Sequence, residues 1–274
     1  ALRRTWNDPQ GRAGTVILAA IAAFVLLGPA IVADPLAQPD VLGGTLLPPG
    51  IEHPFGTDQL SRDILARVVV GGRVSLTVAV LAVAVSMTLG AGVGLVAGYL
   101  GGAADSMLMR LVDGALAVPR LFMLLLVLTA MERIPVGVLV LLIGGTGWFA
   151  TSRLVRGETL RLRDEAFVRA AESLGAPRRR VILRHLLPNV LGPLLVAATL
   201  GVGDVILLEA GLSFLGLGIQ PPAPSWGGMI LDSRSVLTTA PWPGLFPGLA
   251  VMLTVLAANL VGDALRGALD LGGA

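Results

Sequence analysis

Several residue types on which enzymes and soluble domains depend are missing here or scarce. Cysteine is absent, which excludes disulfides, thiolate metal sites and cysteine nucleophiles. Lysine is absent too, because all 20 basic residues are arginine. The phosphate-binding loop of an ATPase sets a lysine on the nucleotide phosphates, so this chain cannot hold that site. Two histidines, His53 and His185, are too few and too far apart to form a metal centre. Paired acids at helical spacing, of the kind a membrane enzyme would need, are also missing. Charged residues make up only 14% of the 274 positions, against ~25% in a typical soluble domain. The net charge of +2 raises nucleic acid as a partner, but the placement of the arginines argues for membrane topology instead.

Hydrophobic residues make up 54% of the chain, and 36 residues are glycine. Residues 13–33, 74–104, 134–152 and 235–262 contain no Asp, Glu or Arg. A helix needs ~20 apolar residues to cross the hydrocarbon of a bilayer, and these windows meet or approach that length. The reading is an all-α polytopic membrane protein with about six transmembrane helices, near 15–33, 76–99, 107–131, 135–152, 189–212 and 244–262. The first run follows Arg3, Arg4 and Arg12 and is longer than the 7–15 apolar residues of a cleavable signal. It is expected to be an uncleaved first span.

The third span is the weakest, because Arg110, Asp113, Pro119 and Arg120 lie in it. Charge placement requires it. The basic N-terminal tail, 1–14, is expected on the cytoplasmic side. Residues 153–184 carry nine Arg against four acids and are expected there too. An even number of crossings must separate them. The extracytoplasmic segments are then 34–73 and an outer loop at 213–243. The core of the protein is 74–265, and the tail 266–274 is cytoplasmic, so both termini lie inside. Residues 104–118 are expected along the inner interface, with Arg110 and Asp113 paired on one helix face. Segment 34–73 reads as an irregular loop and then a short helix from about Ser61, capped by Thr57, Asp58 or Ser61. One short helix near 226–237 is expected in the proline-rich outer loop. Gly90, Gly94 and Gly98 recur every four residues, a spacing that suits close helix packing in lipid. They lack the preceding strand that a dinucleotide site requires.

The Arg-rich segment is the most informative. Helix formers run from Arg161 to Leu174, and Gly175 and Pro177 stop that helix. A second short helix is expected from about Pro177, with Pro188 ending it or kinking it into the fifth span. The layout over 156–188 is two short helices joined by a glycine elbow. The small pair Ala170 and Ala171 is read as an exposed apolar face for another protein to grip.

The stretch Glu165-Ala166-Phe167-Val168-Arg169-Ala170-Ala171-Glu172-Ser173-Leu174-Gly175, with His185-Leu186-Leu187-Pro188 beyond it, resembles the EAA loop of bacterial ATP-binding-cassette importer permeases. The chain from about His53 is similar to the dipeptide/oligopeptide/nickel permease family, on its C-type subunit. His53-Pro54-Phe55-Gly56-Thr57-Asp58, Met109-Arg110-Leu111-Val112-Asp113, Leu212-Ser213-Phe214-Leu215-Gly216-Leu217-Gly218, Pro224-Ser225-Trp226-Gly227 and Phe246-Pro247-Gly248 carry the likeness. It implies a permease in the bacterial inner membrane that couples to a cytoplasmic ATPase through Glu165, Arg169, Ala170, Ala171, Glu172, Gly175, Leu187 and Pro188. It also implies a second, related permease, one or two P-loop ATPase subunits that bind the ATP and Mg, and an extracytoplasmic solute-binding protein. This chain would hold no cofactor of its own and contact no nucleic acid. Short peptides are the implied cargo, with nickel chelates or glutathione-like solutes as alternatives. Arg169 departs from the family, which has Glu there, and reverses a charge at the expected ATPase contact. A self-contained carrier or channel is the other function class, but the inverted repeat with broken helices that marks such carriers is not visible.

Acids inside a membrane are functional candidates by default. Asp204 is therefore read as a residue of the translocation path, with a structural hydrogen bond as the competing role, and the polar Asn259 is read beside it as a second path candidate. Ser86, Thr88 and Thr199 could serve either way. Glu209, five residues past Asp204 and on another face, is expected at the outer interface.

Overall fold

The computed structural model describes residues 2–40 and 43–270. Among them the regular structure is helical, apart from one isolated antiparallel bridge between Thr57 and Asp63. A short helix, α1 (Leu2–Asn7), precedes α2 (Pro9–Leu27). Asp8 caps α2 by accepting from the Gly11 N–H, and Pro9 sits in the first turn, where its missing N–H leaves no bond unmade. A single 3-10 turn, Gly28–Ala30, ends that first span three residues before the expected position. Pro29 lies within it and supplies no N–H.

The second span is a single helix, α3 (Ile64–Leu100), about 55 Å long at 1.5 Å per residue. The short helix expected from Ser61 is thus the outer end of this span. Its cap is Asp63, whose Oδ1 accepts from the Ala66 N–H. Thr57, Asp58 and Ser61 have other partners in the loop before it.

The third span is two helices, not one. α4 (Gly102–Leu116) and α5 (Arg120–Thr129) meet at 76°. The break falls at Pro119, which cannot continue a helical ladder and pushes Val118 out of the helical region. The Arg110–Asp113 pair does not form. Asp113 instead accepts from Arg153, and Asp105 takes Arg156 at 2.5 and 2.6 Å. Two arginines of the segment assigned from sequence to the cytoplasmic side therefore clamp α4 onto the next helix.

That helix is α6 (Val136–Arg163), which continues well beyond the expected end of its span. It is followed by α7 (Ala166–Ser173), a single turn α8 (Arg178–Arg180), a π-helical turn at Val181–Leu186, and α9 (Leu187–Phe214). α10 (Trp226–Ser233), capped by Ser225 accepting from Gly228, and α11 (Trp242–Asp270) complete the chain. The tail expected over 266–274 starts inside α11, and residues 271–274 lie outside the described residues. Among the described residues five helices are long and apolar enough to cross a membrane, or six if the bent α4–α5 pair counts as one.

α3 and α6 form the centre of the bundle. Each glycine of the four-residue repeat faces α6: a Cβ on Gly90, Gly94 or Gly98 would come within 2.7 Å of Thr151, Ser152 or Thr159 atoms. The main core cluster joins α3, α5, α6, α9 and α10 through Val78, Ala82, Leu124, Leu139, Ile143, Ile206 and Trp226. A second cluster, with Leu95, Val155, Val168, Val181, Leu186 and Val190, lies at the end of the bundle that carries α7.

Candidate functional site

The α7 elbow is fixed by its backbone. α7 ends in a Schellman motif, with Gly175 in the left-handed region at φ +79°. Gly175 N–H donates to the Glu172 carbonyl at 2.9 Å, and Ala176 N–H to the Ala171 carbonyl at 3.0 Å. Only glycine enters that φ without strain. Val168, fully buried, and Ala171 seat the helix on α3, α6 and α9. The Tyr99 hydroxyl at the end of α3 donates to Glu172 Oε1 at 2.7 Å. These contacts tie α7 and its glycine turn to the spans beside them.

Three details differ from the sequence reading. The first helix begins at Ala166 and not Arg161, because the chain breaks at Asp164 and Glu165. The second is no separate short helix: from Arg178 the chain runs as one 37-residue helical segment to Phe214. A π turn at 181–186 leads into Pro188, which has no N–H to donate, and Asn189 Nδ2 donates to the His185 carbonyl at 2.6 Å. The exposed face is not the pair Ala170–Ala171, since Ala171 points inward. It is the stripe Phe167, Ala170 and Leu174, at i, i+3 and i+7, with Leu174 89% exposed. That helical spacing was available in the sequence.

Glu165 and Arg169 are exposed, and Arg169 reaches only Asp164, at 3.8 Å in solvent, a pairing worth little. Arg178, Arg179 and Arg180 are exposed and form no ion pair among the described residues. Leu187 is half-buried against the α7 cluster, and Pro188 opens α9. The elbow is therefore an apolar ridge bordered by arginine.

A second site lies between the spans. A cleft of about 310 Å³ is lined by Ser86, Met87, Arg120, Thr151, Leu154, Leu200 and Asp204. Asp204 is exposed to it. Arg120, in the first turn of α5, leans on α6: Nε donates to Thr146 Oγ1 at 3.1 Å and Nη2 to the Ile143 carbonyl at 2.5 Å. Ser86 and Thr151 hydroxyls lie 3.3 Å apart on the same wall. Asn259 is exposed on α11 and does not line this cleft. Thr88 and Thr199 donate to carbonyls of their own helices. Sequence reasoning missed Arg120, although a charge directly after a proline in an apolar run is a visible signal.

Glu209 is not at an open interface. It is 1% exposed, accepting from Ser213 Oγ at 2.7 Å and Ser75 Oγ at 3.3 Å. The Ser75 hydroxyl in turn accepts from the Trp226 N–H, and the Trp226 indole donates to the Val68 carbonyl. Glu209 thereby ties α3, α9 and α10 together. Nearby, Asp58 Oδ2 accepts from Arg62 at 2.7 Å and Arg67 at 2.6 Å, and Asp232 lies 3.3 Å from Arg67. Through Arg67 of α3 these pairs link the loop around Asp58 to α10. Phe55 stacks on Phe246, with ring centroids 4.0 Å apart.

An all-α bundle with five or six helices long enough to cross a membrane among the described residues, an elbow at one end and a cleft between spans that carries two opposite charges define a multi-pass membrane transport component. Residues 90–272 match the family described as binding-protein-dependent transport system inner membrane component, and the chain belongs to that family. It is 38% identical over 273 residues to the oligopeptide transport system permease protein OppC of Haemophilus influenzae, covering 98% of this chain and 87% of that protein. It is 39% identical over 258 residues to the dipeptide transport system permease protein DppC of Alkalihalophilus pseudofirmus, covering 94% and 84%. The OppC of Bacillus subtilis is 36% identical over 272 residues, covering 98% and 88%.

Proposed function

We propose that this chain is a permease subunit of an ATP-binding-cassette importer for short peptides, forming half of the translocation path beside a second, related permease. Cytoplasmic ATPase subunits supply ATP hydrolysis and grip the α7 elbow, and an extracytoplasmic binding protein delivers peptide to the α10 end. Both termini and α7 then lie on the cytoplasmic side. The observation that carries this reading is the elbow itself: a glycine-locked helix with an exposed Phe167–Ala170–Leu174 ridge, seated by Val168 on three spans. A ridge of this kind transmits force only if a partner covers it, and family membership supplies the kind of partner. Coupling is then a difference in ATPase affinity between two permease states.

The test is a mild-detergent pull-down of the tagged chain from its native membrane with mass spectrometry of what accompanies it. A second permease and P-loop ATPases are expected. A lone, stable homo-oligomer would favour a self-contained carrier or channel.

The charge at Arg169 gives a sharper expectation. Arg169 is exposed with only a weak intrachain partner, so its charge is available to the ATPase. Arg169→Glu is expected to change ATPase affinity of the solubilised permease pair by about fivefold or more, from ~1 kcal/mol or more for a charge reversal at an interface. Microscale binding at two salt concentrations reads it. An unchanged dissociation constant would remove Arg169 from the contact.

A further inference from the structure

Arg120 and Asp204 line one cleft at membrane depth and carry opposite charges, yet they do not neutralise each other by contact. No nitrogen of Arg120 comes within 4.0 Å of an Asp204 oxygen. Asp204 makes no hydrogen bond to any described residue. Arg120 is held from behind by Thr146 and Ile143 through Nε and Nη2, and its Nη1 has no partner among the described residues. Ionisable side chains between spans that no neighbour pairs by contact mark sites of use.

Depth agrees with that. Ile143, which anchors Arg120, is about 10 Å along α6 from Val136, and Asp204 is about 15 Å along α9 from Phe214, at 1.5 Å per residue. Both measures start from the end that carries α10. The two charges thus sit at similar depth, well inside the bundle.

From this cleft we infer a transient binding site for the two ends of a zwitterionic peptide, with Asp204 receiving the terminal ammonium and Arg120 the terminal carboxylate. The inference rests on the peptide-importer reading above. The cleft holds about 310 Å³, within the ~300–1,000 Å³ of small-ligand sites. The rest of its wall is apolar apart from the neutral hydroxyls of Ser86 and Thr151, and includes Val83, Met87, Leu154 and Leu200. Aliphatic walls that carry one cation and one anion read what every peptide shares, its termini, and leave side chains unread. That suits a path which must pass many sequences and hold none tightly.

The test uses the complete transporter in proteoliposomes, with binding protein saturated by trialanine, N-acetyl-trialanine or trialanine amide. Asp204→Asn is expected to lower uptake of free trialanine about tenfold, as loss of a charged hydrogen-bond partner does, and to leave N-acetyl-trialanine uptake unchanged. Arg120→Gln should act in the same way on the free peptide and spare the amide, with Arg120→Lys partly restoring uptake. Should Arg120→Gln fail to assemble, because it also anchors α5, Asp204→Asn decides the matter, since its carboxylate holds no described neighbour. Equal loss for free and acetylated peptide, or no loss for either, overturns the site. A wild-type complex that assembles but moves no peptide refutes the importer reading instead, and takes this inference with it.

Discussion

Gly175→Pro is expected to abolish substrate-stimulated ATP hydrolysis while the chain still inserts and remains in the membrane. The residue sits at φ +79°, and proline is confined near −65°. Substitution also removes the N–H that donates to the Glu172 carbonyl at 2.9 Å. The turn must rebuild, and Ala176 then loses its bond to the Ala171 carbonyl. With the motif gone, α7 keeps Val168 in its socket but no longer has a fixed angle to the helix that starts at Arg178. Force applied to the ridge would bend the joint instead of moving α9. The spans are untouched, so carbonate-resistant insertion should match wild type. Gly175→Ala separates strain from disruption: an added Cβ meets nothing within 4 Å, and the left-handed conformation alone costs about 1–2 kcal/mol. Most of the stimulated hydrolysis should survive in that variant. The readout is ATP turnover of the reconstituted complex with and without peptide-loaded binding protein. Wild-type stimulation in the proline variant would mean that the elbow is no lever.

Helix positions were legible in the sequence because uncharged length is a one-dimensional property. The six expected spans each correspond to a helix or, for the third, to a bent pair, and Gly175 was placed at its turn by residue type alone. What could not be read were the relations between helices. Arg153 and Arg156 counted only towards the charge of the cytoplasmic segment because their partners, Asp113 and Asp105, are 40 and 51 residues away. Glu209 looked like an interface acid because depth was counted along α9 alone, whereas Ser75 and the α10 N-terminus enclose it from other elements. Ala171 looked exposed because small residues carry no directional signal, while the socket around Val168 decides which face turns in. Helix continuity was misjudged for a different reason. Helices do begin just after Ser61 and Pro177, but they run on into spans instead of ending as short pieces, and the stop signal at Pro188 is passed by way of the π turn at Val181–Leu186.

Gly94→Leu is expected to prevent the chain from folding, whereas Gly92→Leu, two residues away on the same helix, is expected to be tolerated. A Cβ at Gly94 would lie 2.6 Å from the Ser152 carbonyl oxygen, 2.7 Å from Val155 Cβ and 2.9 Å from the Arg156 nitrogen. Two of these are backbone atoms, which cannot rotate away. A Cβ at Gly92 meets nothing within 4 Å. In lipid the attraction between helices comes from close packing and not from the exclusion of water, so an enforced gap forfeits it directly. Overpacking a well-fitted contact costs about 1–3 kcal/mol when neighbours can shift, and here the neighbour is a helix axis. Moving α6 outward would also part Gly90 from Thr151 and Gly98 from Thr159, the two contacts that flank this one. The damage would extend to the α7 platform, because Val155 and Leu162 of α6 form part of its socket. Fluorescence-detected size exclusion of tagged variants in mild detergent, followed by a thermal ramp, separates the outcomes. A monodisperse Gly94→Leu peak with the wild-type transition temperature would show that α3 and α6 do not depend on this approach. Matched loss in Gly94→Leu and Gly92→Leu would trace the effect to added bulk in the helix, not to the contact with α6.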